Sequence, residues 1–333
     1  MSGSVSASIL AGIQAEEPYF PVPLASLRPD TVTGFDLYLR SDPDQPPVLY
    51  REKHLPFTEQ VRERLEISRV EVLYIQTAQA QQYRRYIEQN LGAILTDKKL
   101  PMEDKSEVLY TTAQGLVREM LQDPSKGDAI QRSAGLAEST VQFMHQQKTA
   151  FEHLLKVTSY DYQTYTHSVN VCVYAVALAQ RAYRLDFPTL LEFGQGALFH
   201  DVGKSMIDPL ILNSRTRLSD EQWEIMKRHP VLGYDLLEKA DGLGDIGLDI
   251  VRHHHEKISG KGYPDGLRGG SISPYVRMVA VADVFDALTT RRPHRQAMSS
   301  FKALKLMHEE MLADLDKELF TIFVKMMGNP RGD

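Results

Sequence analysis

Cysteine is almost absent from this chain of 333 residues, which contains only Cys172. A single cysteine excludes a disulfide within the chain. This fits a reducing compartment, so we expect a cytoplasmic protein. Cys172 lies in the apolar segment 169–179, and we interpret it as a small buried hydrophobe rather than as a reactive thiol.

Long apolar runs and an excess of positive charge are also missing. A membrane-spanning helix needs ~20 apolar residues, but the most apolar candidate is interrupted by Asn170, Tyr174 and Gln180. The net charge is −6, whereas binding nucleic acid regardless of its sequence requires a basic surface. We therefore expect neither a membrane span nor a nucleic acid polymer as partner.

The length suggests about two domains, and the residue pattern changes along the chain. Short alternating runs with helical segments between them predict a small α/β unit first, whereas the second half reads as almost entirely helical. The predicted class is α+β overall, with an all-α domain after the α/β unit. The predicted parts are a flexible tail at 1–18, a regulatory or docking unit at 19–97, connecting helices at 98–150 and the helical domain at 151–328.

Capping residues and helix breakers predict several helix ends. Thr77 is predicted to cap a helix that runs to Leu95, and one continuous helix is predicted over 128–157. Ser219 begins a capping box, and its helix is expected to end at His229 because Pro230 disfavours helix in the preceding residue.

Histidine and aspartate recur on the apolar segments of the helical half. The pair His200-Asp201 follows the apolar run 197–199 directly, although an isolated pair is a weak signal because neighbouring side chains on a helix diverge by about 100°. The similar positions are His167, His229, His254, His255 and Asp283. Five imidazoles and two carboxylates are a suitable ligand set for more than one divalent transition metal ion.

Such a site is suited to phosphodiester hydrolysis. Two ions ~3.5–4 Å apart can clamp a phosphate, hold a bridging hydroxide as the nucleophile and neutralise the leaving oxygen. Lys204 lies about one helical turn beyond Asp201, where it can stabilise negative charge that develops on the phosphate. A solvated lysine at a helix end is the alternative interpretation.

These motifs, taken in order, resemble the HD-GYP family of cyclic di-GMP phosphodiesterases over roughly 151–327. The matching stretches are His167, His200-Asp201-x-x-Lys204, His229, His254-His255-Glu256, the glycine-rich loop 260–267 and the segment 283–288. The resemblance implies a helical HD-type domain with a centre of two or three metal ions, usually iron or manganese. It also implies that cyclic di-GMP is opened to linear pGpG, with further cleavage to GMP as an option.

The resemblance also implies roles for individual residues. The metal ligands would be His167, His200, Asp201, His229, His254, His255 and Asp283. Asp201 would bridge the ions, and Lys204 would contact the scissile phosphate. Tyr263 would line the pocket, while Arg292 and Arg295 would hold the phosphates and guanines, tasks that suit the planar guanidinium.

Three positions depart from the family pattern. Gln163 stands where members with three metals carry a glutamate, so we expect two metal ions. Ser259 replaces a common aspartate, which could weaken loop anchoring or substrate handling. His294 replaces a common tyrosine and could alter base stacking.

Two alternatives to the enzyme stay open. One is a slow or inactive domain that binds cyclic di-GMP, or a protein, and signals through its conformation. The other is a hydrolase of a different cyclic dinucleotide or a nucleoside phosphate. The N-terminal unit is expected to sense a signal or dock a protein partner, and the connecting helices offer a surface for a homodimer.

Overall fold

The computed structural model describes residues 18–42, 44–124, 128–158, 163–214, 216–291 and 296–330. The chain divides into two compact units, Met1–Gly115 and Leu116–Asp333. The finer boundaries given by the sequence stay predictions, and the predicted tail lies outside the described residues except for its last residue.

The first unit is built on a small antiparallel sheet. Its strands are β1 (Tyr19–Pro23), β2 (Thr31–Val32), β3 (Leu37–Leu39), β4 (Val48–Arg51), β5 (Pro56–Phe57) and β6 (Val72–Gln76). Four of them pair in the order β1-β6-β3-β4, and β2 pairs with β5. Alternate residues of β1 and β6 are buried, as expected of a sheet with one face on a core.

Helices complete this unit. They are α1 (Glu59–Ile67), α2 (Ala80–Thr96) and α3 (Met102–Gln122), the last of which extends past Gly115. Residues Tyr83, Ile87 and Leu91 of α2 are buried, and their spacing places them on one helix face. An antiparallel sheet followed by a helical unit confirms the predicted α+β class.

The second unit is helical throughout its described residues. Its helices are α4 (Ala129–Gln146), α5 (Ala150–Val157), α6 (Thr164–Ala182), α7 (Phe187–Phe199), α8 (Pro209–Leu212), α9 (Asp220–Met226), α10 (His229–Lys239), α11 (Asp245–His253), α12 (Pro274–Thr289), α13 (Ser300–Leu306) and α14 (Lys317–Gly328). Short 3₁₀ turns lie at Val202–Met206 and Gly269–Ser271, and one π turn lies at Met307–Met311. No helix among the described residues is both long enough and apolar enough to span a membrane.

The central helix of this unit is α6. Every residue from Thr166 to Ala179 is buried, because α6 packs against both α7 and α12 while α7 also packs against α11. A helix that is apolar on all sides belongs in a core. The polar side chains of its first turns are therefore buried too, and this brings His167 into the interior.

Two predicted helix ends differ from the structure. Thr77 begins a 3₁₀ turn, Thr77–Gln79, and α2 starts only at Ala80 without a side-chain cap. The predicted helix over 128–157 is two helices, because Gln147 adopts an extended backbone conformation that ends α4. Neither Gly nor Pro marks this break, so the sequence pattern did not reveal it.

The expected helix end at His229 is also wrong. The capping box of Ser219 and Gln222 is present, but that helix stops at Met226 and His229 begins α10. Pro230 lies in the first turn of α10, where its missing N–H costs no hydrogen bond. The proline therefore starts a helix rather than ending one.

Candidate metal centre

Six of the seven predicted metal ligands are almost completely buried, and the elements that carry them converge. His167 lies in the first turn of α6, His200-Asp201 end α7, His229 begins α10, His254-His255 follow α11, and Asp283 lies in α12. The exposed fraction is 7% for Asp283 and at most 1% for His167, His200, Asp201, His229 and His254. His255 is half-buried.

The ligands form two groups, and in each group the ligand atoms lie within 4.8 Å of one another. One group is Asp201, His229, His254 and His255, and the other is His167, His200 and Asp283. Each group by itself has enough donor atoms to hold one metal ion.

Asp201 lies between the two groups. Its Oδ1 atom is 3.3 Å from His229 Nε2 and 3.8 Å from His254 Nε2. Its Oδ2 atom is 3.5 Å from His200 Nε2 and 3.6 Å from His167 Nε2. One carboxylate oxygen therefore faces each group, which is the arrangement of a bridging ligand.

Backbone carbonyl groups orient three of the imidazoles. The Nδ1 atoms of His200, His229 and His254 lie 2.8, 2.8 and 3.0 Å from the carbonyl oxygens of Ala197, Met226 and Val251. A carbonyl oxygen only accepts hydrogen bonds, so Nδ1 must carry the hydrogen. The lone pair of each ring is then on Nε2, which points into the cluster.

The Nε2 lone pairs of these imidazoles therefore face other acceptor atoms in the buried interior of the cluster. His229 Nε2 is 3.3 Å from His254 Nε2, and His200 Nε2 is 3.4 Å from His167 Nε2. Asp201 Oδ1 is buried and has no hydrogen-bond donor among the described residues. Opposed acceptors repel unless a cation lies between them, and about 3 Å separates neighbouring ligands around an ion with bonds of ~2 Å. The residues fit a bound metal.

Protonation states agree with this fit. Burial alone would raise the pKa of Asp201, but the charge of the Lys204 ammonium opposes it, and that pKa is held well below its usual value. Burial lowers the pKa of His254 well below its usual value, and the neighbouring imidazole of His255 lowers it further. An ionised carboxylate and a neutral imidazole are the forms that bind metal.

Asp286 supports the cluster, although the sequence interpretation gave it no role. Its Oδ2 atom accepts a hydrogen bond from His167 Nδ1 at 2.7 Å, and its Oδ1 atom accepts one from Asn170 Nδ2 at 2.8 Å. A carboxylate behind a ligating histidine fixes the ring and raises its basicity. The only sequence signal was its spacing from Asp283, which places both on one face of α12.

Lys204 lies beside Asp201. Its Nζ atom is 2.5 Å from Asp201 Oδ2, and its side chain is 13% exposed. The 3₁₀ turn Val202–Met206 brings the lysine back onto the carboxylate. The contact with the scissile phosphate stays a prediction.

The glycine-rich loop packs directly after the second ligand group. Glu256 Oε1 accepts hydrogen bonds from the backbone N–H groups of Asp265 and Gly266 at 2.7 and 2.8 Å. A Cβ atom at Gly262 would lie 2.5 Å from the Cα atom of Glu256, so this close approach requires glycine. The loop thereby places the centroid of the Tyr263 ring 4.8 Å from the centroid of the His255 ring.

Ser259 secures the start of this loop. Its hydroxyl donates to Asp314 Oδ1 at 2.5 Å, and Lys257 Nζ donates to Asp314 Oδ2 at 2.8 Å. Serine was expected to weaken the anchoring of the loop, but its own hydroxyl anchors the loop to Asp314. An effect on substrate handling stays a prediction.

Four further predicted positions remain. Arg292, His294 and Arg295 lie outside the described residues. Gln163 is exposed and precedes α6, where its carbonyl oxygen accepts the backbone N–H of His167 at 2.9 Å. Two metal ions instead of three stays a prediction.

Part of this chain is similar to known proteins. Residues 175–319 match the HD domain family. The chain is 34% identical to a cyclic di-GMP phosphodiesterase of Pseudomonas aeruginosa over 66% of this chain and 53% of the relative. It is 33% identical to the 3'3'-cGAMP-specific phosphodiesterase 3 of Vibrio cholerae over 48% of this chain and 35% of the relative.

A third relative and one solved structure extend the comparison. The cyclic di-GMP phosphodiesterase response regulator of Xanthomonas campestris pv. campestris is 41% identical over 34% of this chain and 30% of that protein. An HDG"Y"P protein from Bdellovibrio bacteriovorus superposes with a TM-score of 0.66 at 21% identity, covering 93% of this chain and all of the other. The latter likeness concerns the fold alone. The chain spans about half or less of the length of these curated relatives.

Proposed function

We propose that this chain, in which residues 175–319 match the HD domain family and whose motifs resemble the HD-GYP family, is a metal-dependent phosphodiesterase that hydrolyses cyclic di-GMP to linear pGpG. The observation that carries the proposal is the pair of buried ligand groups that share Asp201. In the reaction, water adds across one P–O bond of the ring, giving a terminal phosphate and a free hydroxyl. A second hydrolysis of pGpG would give GMP.

Two divalent ions, iron or manganese, fit the donor set of this proposal. Asp201, His229, His254 and His255 would hold one ion, and His167, His200 and Asp283 would hold the other, with Asp201 shared. Mixed imidazole and carboxylate ligands suit these metals. When bound, such ions supply Lewis acidity to the phosphate and lower the pKa of the attacking water.

The chain's own residues bind and orient the dinucleotide in this account. Lys204, held at 2.5 Å from Asp201, is close enough to the ligand cluster to pair with a phosphate oxygen. Tyr263 borders the cluster through His255 and would line the substrate pocket. Arg292 and Arg295 are proposed to hold the phosphates and guanines.

A second substrate has a specific observation in its favour. The similarity to a phosphodiesterase named for 3'3'-cGAMP extends over 48% of this chain. Both dinucleotides have the same phosphodiester ring with two purines, so the ligand groups would act on either. The choice between them depends on the bases.

Regulation and assembly are further parts of the proposal. The unit Met1–Gly115 has its own core and sheet. This supports an input or docking role for that unit, with a protein as the partner. A homodimer through the helices of 98–150 and a cytoplasmic location complete the proposal.

Chromatography of reaction products tests the proposed function. Protein purified without oxygen and loaded with iron or manganese is incubated separately with cyclic di-GMP and 3'3'-cGAMP. We expect pGpG to appear, with the higher kcat/KM for cyclic di-GMP. Turnover of 3'3'-cGAMP alone would assign the second substrate, and tight binding of cyclic di-GMP without turnover would replace the enzyme with a receptor.

A double variant provides the control for this assay. His200→Ala with Asp201→Ala removes one ligand from the second group and the shared carboxylate, so turnover should be lost. His54→Ala is the matched control, because His54 is an exposed histidine that pairs with the exposed Glu52. Activity that survived the double change would show that the metal ligands are wrongly assigned.

A further inference from the structure

Three aromatic rings form a row that leads from the ligand cluster to the surface. The centroids of the His255 and Tyr263 rings are 4.8 Å apart, and the angle between the ring planes is 35°. The centroids of the Tyr263 and Trp223 rings are 6.4 Å apart, and the ring planes are nearly perpendicular, at 78°. Trp223 is thus only two ring contacts away from a predicted metal ligand.

Trp223 is open to solvent at this position. It lies on the short helix α9, and its exposed fraction is 46%. The segment between Lys204 and His229 also exposes Met206, Leu210 and Ile225, by 52%, 83% and 39%, and α8 contacts α9. Large exposed apolar side chains on neighbouring elements are typical of a surface that binds something.

Contacts that do not involve the Trp223 side chain fix the backbone around it. The capping box of Ser219 and Gln222 starts α9, and Glu256 fixes the loop that carries Tyr263. The indole is therefore presented on a preformed element, with one neighbouring ring to limit its orientation. A backbone that is already in place lowers the entropy cost of binding.

The chemistry of a cyclic dinucleotide fits this row. Its phosphates belong at the ligand cluster, and its purine bases are flat, apolar-faced rings attached a few bonds away. We infer that Trp223 stacks on one purine base of the cyclic dinucleotide and is a substrate-binding residue of this site. The inference rests on the proposed function, because it assumes that the phosphate is bound at the metal ligands.

Substitution of Trp223 tests the stacking through KM. One stacked base contributes about 1–3 kcal/mol, or about a fivefold to hundredfold change in affinity. Trp223→Ala should raise KM for cyclic di-GMP within that range while kcat and metal content stay unchanged. Trp223→Phe keeps a ring and should restore most of the loss. Phe301→Ala, at a 77% exposed aromatic residue on α13, is the control and should have the wild-type KM.

Fluorescence gives a second readout, since Trp223 is the only tryptophan of the chain. GMP should quench the emission saturably, whereas ribose 5-phosphate, which has the phosphate but no base, should not. Equal quenching by both would overturn the stacking contact, because it would report the phosphate alone.

The outcomes separate this inference from the proposed function. If the wild-type protein hydrolyses cyclic di-GMP and Trp223→Ala retains its KM, the stacking inference fails alone. If Trp223→Ala loses metal or unfolds, Trp223→Phe behaves as wild type and the wild-type protein shows no base-dependent quenching, the residue is structural and the inference also fails. If the wild-type protein neither binds nor hydrolyses a cyclic dinucleotide, the proposed function fails, and the stacking inference fails with it.

Discussion

At the scale of single residues, the cluster depends on hydrogen bonds behind the metal ligands. Asp286 holds His167 in one orientation while Asn170 and Thr290 hold Asp286. The ligating atom of His167 is therefore fixed by groups that never touch a metal. Such outer contacts change metal affinity or activity by about 10–100-fold when they are lost.

Asp286→Asn tests this dependence at constant size. An amide has only one acceptor oxygen, so its NH2 group would face either His167 Nδ1–H or the Asn170 amide donor, and the support of the ring would be lost. We expect a drop of about 10–100-fold in metal affinity or in kcat/KM, measured by following activity during metal titration. Asp186→Asn, at the exposed cap of α7, is the control. Unchanged metal titration in Asp286→Asn would contradict the proposed orientation of His167.

A half-buried carboxylate, that of Asp97, stabilises the first unit. Burial would raise the pKa of Asp97, but the hydrogen bond from Arg28 and the charges of Arg28 and Arg62 outweigh it, so the pKa is lowered. The Arg28 guanidinium lies 2.5 Å from the Asp97 carboxylate. A lowered pKa in the folded state means that ionised Asp97 stabilises the fold above its unfolded pKa of about 3.9.

Asp97→Asn should therefore destabilise the protein at neutral pH and not in acid. We expect a loss of about 1–3 kcal/mol in the free energy of unfolding at pH 7. The difference from the wild type should shrink as the pH falls from about 4, where the carboxylate of the unfolded chain is protonated, through the lower pKa of the folded state. Denaturant unfolding across this pH range measures it, with the exposed Asp44→Asn as control. A difference that did not depend on pH would show that the charge contributes nothing.

At the scale of helices and turns, the site depends on one very close backbone approach. A Cβ atom at Gly203 would lie 2.0 Å from the carbonyl oxygen of His229 and 2.5 Å from the backbone nitrogen of Gly233. The turn that follows Asp201 is thus pressed directly onto α10. This contact sets the distance between the Asp201 carboxylate and the His229 imidazole.

Gly203→Ala should separate the turn from α10. We expect a loss of about 1–3 kcal/mol in unfolding free energy from overpacking, together with a loss of bound metal. Gly135→Ala is the matched control, since a Cβ atom there has no neighbour within 4 Å. In the middle of α4 that change should be neutral or stabilising by up to about 1 kcal/mol. If both variants kept wild-type stability and metal content, the close approach would have no role.

Particular residues show which parts of the site could be predicted from the sequence. The ligand residues could be chosen because histidine and aspartate on apolar segments are chemically unusual, and the structure brings those seven together. His229 was expected to end a helix, yet it begins one, because Pro230 is equally compatible with a first turn. Asp286 was overlooked because its partner His167 is 119 residues away, and pairings over such distances depend on tertiary packing.

At the scale of the whole molecule, metal binding should be coupled to stability. The core of the second unit contains opposed acceptor atoms, such as His229 Nε2 and His254 Nε2 at 3.3 Å, whose repulsion a cation would relieve. A ligand that binds only the folded state stabilises it by mass action, by about 2.7 kcal/mol when its concentration is a hundred times Kd.

Thermal unfolding with and without metal tests this coupling. Loading the chelator-treated protein with iron or manganese should raise Tm by several degrees. The His200→Ala, Asp201→Ala double variant should show a much smaller rise. Equal Tm values for the loaded and stripped wild-type protein would mean that the cluster does not bind these metals in the folded state.

Elemental analysis combined with turnover on one sample, purified without oxygen, tests the central claim most directly. We expect about two iron or manganese ions per chain, held by the groups that share Asp201, and conversion of cyclic di-GMP to the linear dinucleotide. Properly folded protein that contained no metal after incubation with both ions, or that opened cyclic di-GMP equally well after chelation, would contradict it.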